Sequence, residues 1–86
     1  MMKVLYTQNA WCPACGKEHR VQIVEEEVTE NVDGLTVRYK QIWTHCPDAD
    51  PADDYADWYD EGQIDETTRR YANAYNLARN ALEAHT

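Results

Sequence analysis

Val28-Thr29-Glu30-Asn31-Val32-Asp33-Gly34-Leu35-Thr36-Val37-Arg38-Tyr39-Lys40 is the stretch on which the fold turns. Asp-Gly is favoured where two strands reverse through a two-residue loop, because both central residues then need positive φ. Downstream, Leu35, Val37, Tyr39 and Trp43 alternate with Thr36, Arg38, Lys40 and Thr44. That period of two marks a strand with one buried face. Upstream, residues 19–29 hold Val21, Ile23, Val24 and Val28, all strand formers.

With Asp33-Gly34 as the loop, counting sets the register. Val32 faces Leu35, Val28 faces Tyr39 and Val24 faces Trp43 on an apolar side, while Glu27 faces Lys40 and Thr29 faces Arg38 on a charged one. A slip of one residue would mix the two faces, so the pairing is strongly specified.

Outward from the hairpin, Val4-Leu5-Tyr6-Thr7 predicts a short strand leading into Trp11-Cys12-Pro13-Ala14-Cys15-Gly16. On the other side, Pro47 and Pro51 break the sheet. Residues 53–59 then predict a short acidic helix, with Tyr55, Trp58 and Tyr59 at helical spacing and Gly62 as its terminator. Residues 63–83 predict a long amphipathic helix on the stripe Ile64, Thr68, Tyr71, Tyr75, Ala78 and Leu82. Asp65 and Glu66 sit near its positive end, Arg79 and His85 towards its negative one.

The expected class is α+β: a zinc-ribbon-like β-hairpin or small antiparallel sheet, then a short acidic helix and one long C-terminal helix. A single domain spans residues 1–86, with the knuckle and ribbon in 1–50 and the helical part in 51–86. Ala74, Leu77 and Ala81 widen the long helix's apolar arc. Part of that arc is expected to cover the Val24, Tyr39 and Trp43 face; the remainder is a candidate homodimer surface.

Length and charge bound the function. A chain of 86 residues buries only about 60–65% of its unfolded surface, so a metal or a partner helps it. Net charge is −8, from sixteen acids against eight Lys and Arg. That balance opposes contact with a phosphate backbone, which depends on cations displacing counterions, and docking to anionic membranes. Nine of the sixteen acids lie in residues 48–66, and no Lys or Arg falls in residues 41–68. A basic protein partner fits this segment, with Asp48, Asp50, Asp53, Asp54, Asp57, Asp60 and Glu61 supplying charge and Tyr55, Trp58 and Tyr59 supplying anchors. A solvated acidic face is the bland alternative.

No nucleophile-and-base constellation or phosphate loop is legible, so catalysis is not expected. The first residues turn polar too early for a secretory signal, and no apolar run reaches membrane-spanning length. Three cysteines without an export signal point to reduced thiols and a cytoplasmic protein.

Cys12-Pro13-Ala14-Cys15-Gly16 has the form of a zinc knuckle, in which a tight turn aims two sulfurs at one tetrahedral ion. The register returns Cys46 beside Val21, near Cys15. Ala49 stands where a second Cys-x-x-Cys would finish. The fourth ligand is therefore open among His19, His45, Asp48, Asp50 and water, with His45 on the wrong side of a regular strand. One structural Zn²⁺ on Cys12, Cys15 and Cys46 is one reading. Cysteines packed without metal are the other.

The knuckle, the hairpin, the returning Cys46-Pro47, the acidic stretch and the helix from Ile64-Asp65-Glu66-Thr67-Thr68-Arg69-Arg70-Tyr71 together resemble the N-terminal domain of YgiT/MqsA-type zinc-finger antitoxins. The likeness runs from about Trp11 to Asn80. It implies a structural zinc with Cys12, Cys15 and Cys46 as ligands, and contact with a toxin protein. Ala49 departs from that family's second cysteine pair, and the chain ends at Thr86, where such antitoxins continue into a DNA-binding helix-turn-helix. Autonomous operator binding is therefore not expected. The expected role is an inhibitor of a basic, nucleic-acid-handling protein, either a toxin or a bacterial defence nuclease blocked by a nucleic-acid mimic. A nucleic-acid-binding zinc ribbon or accessory transcription factor is the alternative, resting on Arg20, Arg38, Lys40, Arg69 and Arg70.

Overall fold

The computed structural model describes residues 2–50 and 52–84. Three strands, β1 (Lys3–Cys12), β2 (Lys17–Val32) and β3 (Leu35–His45), precede a two-residue strand, β4 (Asp57–Trp58), and a long helix, α1 (Glu61–Glu83). The sheet is four-stranded and antiparallel, with spatial order β1-β2-β3-β4, so the fold is α+β as expected.

The hairpin has the predicted register: Val32 opposite Leu35, Val28 opposite Tyr39, Val24 opposite Trp43, and Glu27 opposite Lys40. Asp33 and Gly34 both take positive φ, 52° and 80°, as a two-residue reversal with this twist requires. β1 is longer than the predicted Val4–Thr7 segment. Pairing with β2 carries it through Gln8 and Asn9, two residues of modest strand preference, with a bulge between Val4 and Tyr6.

A protein of this length packed as a sphere has a radius of gyration of about 12 Å. This one has 16.0 Å and extents of 55 × 23 × 18 Å. The core is correspondingly small. Ile23, Val24, Val37 and Trp43 bury the middle of the sheet, and Cys12, Val21 and Cys46 form a separate cluster at one end.

The expected short acidic helix is a single 3-10 turn, Asp54–Ala56, followed directly by β4. Tertiary hydrogen bonds decide the difference. Cys46 N donates to Ala56 O at 2.7 Å, and Thr44 and His45 pair with Trp58 and Asp57. Trp43 Nε1 also donates to Asp57 Oδ1 at 2.8 Å. Gly62 ends nothing; it lies in the first turn of α1, which begins two residues before the predicted start. Asp60 caps that helix. Its carboxylate accepts from Gln63 N at 2.8 Å while Gln63 Oε1 accepts from Asp60 N at 3.1 Å, a reciprocal capping box.

α1 packs along the outer edge of β3. Ile42 N donates to Thr67 Oγ1 at 3.2 Å, and Arg70 Nη1 donates to the Lys40 carbonyl at 3.1 Å. Gln63 and Thr44 bond through their side chains, with Gln63 Nε2 2.8 Å from Thr44 Oγ1. The helix thus satisfies backbone groups that an edge strand leaves open. For that reason Gln63, Thr67 and Arg70 make the contacts of its first turns, and Ile64, Thr68 and Leu82 of the predicted stripe are exposed, while Tyr71, Tyr75 and Ala78 of that stripe are half-buried. Tyr71 meets Tyr39 edge-on at 5.4 Å. Arg70 also donates to Glu25 and Glu66, at 3.1 and 3.0 Å. Among the described residues no helix is long and apolar enough to cross a membrane.

Candidate metal centre

The turn between β1 and β2 builds the first half of the site. Gly16 takes φ 66° and its N–H donates to Cys12 O at 2.8 Å, which closes the knuckle. Cys15 N points at Cys12 Sγ, 3.4 Å away, the kind of N–H···S contact that favours a thiolate there. His19 follows on β2, and the β2–β3 register returns Cys46 to the same end. The Cys15 and Cys46 sulfurs are 3.7 Å apart. His19 Nε2 lies 3.6 Å from Cys46 Sγ. One ligand atom from each of Cys12, Cys15, His19 and Cys46 falls within 4.8 Å of the others.

Four donors converging on one point, three sulfurs and one imidazole nitrogen, are compatible with a structural metal site. Cys12 and Cys46 are buried and Cys15 is exposed. Ala10, Ala14, Ala49 and Trp58 pack around the cluster. Ala49, at the place where a second Cys-x-x-Cys would finish, thus serves as a packing residue.

The thiols are electrostatically unequal. Burial alone would raise the Cys12 pKa, but hydrogen bonds from His19, from the Cys15 backbone and from Cys46 outweigh it and bring the value down to about 7. The hydrogen bond with Cys46, then burial and the nearby Cys12 sulfur, push Cys15 up to about 11.

Among the candidates for a fourth ligand, the structure brings in His19. His45 leaves the cluster, as strand alternation implied, and its Nδ1 sits 2.8 Å from Asp57 Oδ1. Asp50 accepts from Ala52 N at 2.9 Å and does not join the cluster. Asp48 stands one step out, its Oδ2 3.7 Å from His19 Nδ1.

The acidic segment leaves this centre and carries the residues expected to meet a partner. Several of them have local roles. Asp53 caps the 3-10 turn by accepting from Tyr55 N at 2.9 Å, Asp57 receives Trp43, and Asp60 caps α1. Trp58 packs on the cysteine cluster, and Tyr59 lies 6.2 Å from Trp43. Tyr55, by contrast, is 65% exposed, and Asp54 and Glu61 are exposed too. The cations of the alternative reading are largely engaged. Arg20 donates to Thr7 at 2.8 Å, Arg69 pairs with Glu66, and Lys40 and Arg70 pair with Glu25. No family model, no curated protein and no solved structure matches the chain.

Proposed function

We propose that this chain is a small protein-binding module, held by one structural Zn²⁺ on Cys12, Cys15, His19 and Cys46, that presents its acidic segment to a basic, nucleic-acid-handling protein. The observation that carries the reading is the spacing of the donors. Bonds of about 2.3 Å to sulfur and 2.0–2.1 Å to imidazole in a tetrahedron place two sulfurs about 3.8 Å apart and a sulfur and a nitrogen about 3.6 Å apart. The Cys15–Cys46 and Cys46–His19 separations are 3.7 and 3.6 Å. Three thiolates and an imidazole suit Zn²⁺ better than the hard cations, which take oxygen ligands. All four positions are filled by protein, so the ion's role is to hold the fold and not to activate water.

The partner half of the reading rests on composition and place. The run from Asp48 to Glu66 holds nine carboxylates and no Lys or Arg, and the centre anchors its start through Cys46. Asp54, Tyr55 and Glu61 are among its exposed residues. An exposed tyrosine between carboxylates supplies an anchor and a charge match for a cationic groove, and such charge speeds association more than it deepens affinity. This agrees with the antitoxin resemblance, and an inhibitor of a toxin or defence nuclease is the kind of protein it describes.

The test has two arms. Elemental analysis of the purified chain should return one zinc per molecule, lost on Cys46→Ser. Affinity capture should retain a basic nucleic-acid-binding protein in a salt-sensitive manner, with capture lost in the variant combining Asp54→Lys, Tyr55→Ala and Glu61→Lys. Capture that this variant leaves unchanged rejects the acidic surface. Retention of labelled DNA at low salt, falling steeply as salt rises, would favour direct nucleic-acid binding instead.

A further inference from the structure

The two edges of the sheet are treated differently. On the β3 side, β4 pairs with Thr44 and His45, and α1 takes the open backbone groups of Lys40 and Ile42. On the β1 side nothing among the described residues covers the edge. β1 is ten residues long, well above the short edge strands by which proteins avoid unwanted pairing. It contains no proline or glycine, and Lys3 is its single charge. Its large apolar side chains are outside: Tyr6 is 53% exposed and Trp11 64%, and Val4 and Leu5 are exposed as well.

We propose that the β1 edge is where a second copy of this chain adds, antiparallel and two-fold symmetric about Gln8, to make one continuous eight-stranded sheet. The pairing is self-complementary. A two-fold at Gln8 sets Tyr6 of one copy beside Ala10 of the other and brings the exposed Val4 and Leu5, at the bulge, towards the exposed Trp11. Thr7 then meets Asn9, and no like charges face each other. Lys3 of each copy arrives at the knuckle end of its partner, the end from which the acidic segment begins, so the strand's one cation lies towards opposite charge. The two acidic segments stand at opposite ends of the shared edge and do not confront each other. The bulge between Val4 and Tyr6 leaves residues 6–10 as the stretch that is regular in both copies, and five residues a side offer about five backbone hydrogen bonds.

Gln8 is exposed and lies at the proposed axis, where side chains of opposed residues approach to about 5 Å. Sedimentation equilibrium of the intact chain should show a reversible dimer. Gln8→Lys and Gln8→Glu should each raise its dissociation constant at least tenfold by placing like charges together, and an equimolar mixture of the two should restore the dimer as a heterodimer. Far-ultraviolet dichroism checks that both variants keep the fold. A wild-type chain that stays monomeric up to its solubility limit overturns the proposal. So does a dimer that both Gln8 variants leave intact, whether or not Leu77→Lys and Leu82→Lys on α1 dissolve it, and so does failure of the mixture to re-associate.

Discussion

His19 faces Cys46 with one ring nitrogen and Asp48 with the other: Nε2 lies 3.6 Å from the sulfur and Nδ1 lies 3.7 Å from the carboxylate. This imidazole joins the β2 strand to the chain leaving β3, and it supplies the donor that Ala49 does not. Replacing His19 by Ala or Cys46 by Ser should therefore abolish tight Zn²⁺ binding, measured by competition with a chromophoric chelator. Free metal at a hundred times its dissociation constant adds roughly 2.7 kcal/mol to stability, which at this length is about 10–20 °C in Tm. Chelation should remove that increment from the wild type and leave both variants unchanged.

Asp48 should act through His19. A carboxylate beside the distal nitrogen of a metal-bound imidazole fixes its tautomer and strengthens it as a ligand, and losing such a group typically weakens binding about 10–100-fold. Asp48→Asn is expected to weaken Zn²⁺ within that range while the Co²⁺-substituted protein keeps a tetrahedral visible spectrum. A spectrum of changed coordination number would instead make Asp48 a direct ligand.

Without metal, the two thiols of the knuckle give stability a pH dependence of opposite signs. Cys12, at about 7 against an ordinary 9.0, favours the folded state fully above pH 9.0 and loses that contribution as pH falls through 7. Cys15, at about 11, contributes fully below pH 9.0 and loses its contribution as pH rises towards 11. The chelated protein should thus be most stable near pH 9.0, by thermal melts in a buffer series. A Cys12→Ala variant should lose the rise between pH 7 and 9.0.

Gln63 is 8% exposed and serves Thr44 and the start of α1 together. Gln63→Ala leaves the buried Thr44 hydroxyl without its partner and opens the capping box. A loss of about 1–3 kcal/mol is expected in urea unfolding, larger than the roughly 1 kcal/mol for Asp60→Ala at the cap alone. Equal losses would mean that the Thr44 contact contributes little.

The hairpin could be read residue by residue because its signals are local: a dipeptide suited to positive φ, and an alternation that admits one register. The convergence of Cys12, Cys15 and Cys46 followed from that register. His19 could be weighed but not chosen: strand alternation turns His45 away, but Asp48, two residues past Cys46, lies beyond the end of β3, where no alternation applies. Residues 53–59 were misread because aromatic spacing suggests a helix, whereas the open backbone of Thr44 and His45 draws the segment into β4. The stripe of α1 holds at Tyr71, Tyr75 and Ala78, which are half-buried, and departs at Ile64 and Thr68 for a related reason. An amphipathic stripe presumes an apolar surface to cover, and the edge of β3 asks for Gln63, Thr67 and Arg70. Asp60 and Gln63 did carry a legible sign, the acid followed three residues later by an amide that marks a capping box.

Strands that lie in space in the order of their synthesis imply a sequence of assembly. The turn at Asp33-Gly34 allows β2 and β3 to close outward from neighbouring contacts, and β1 to join from the other side, with little entropy lost to distant encounters. Cys46 then reaches Cys15 across 31 residues by the zipping of what lies between. A metal ion binding at that stage would lock a nearly finished ribbon, so a chain deprived of it should fray at the knuckle first and keep its hairpin longest.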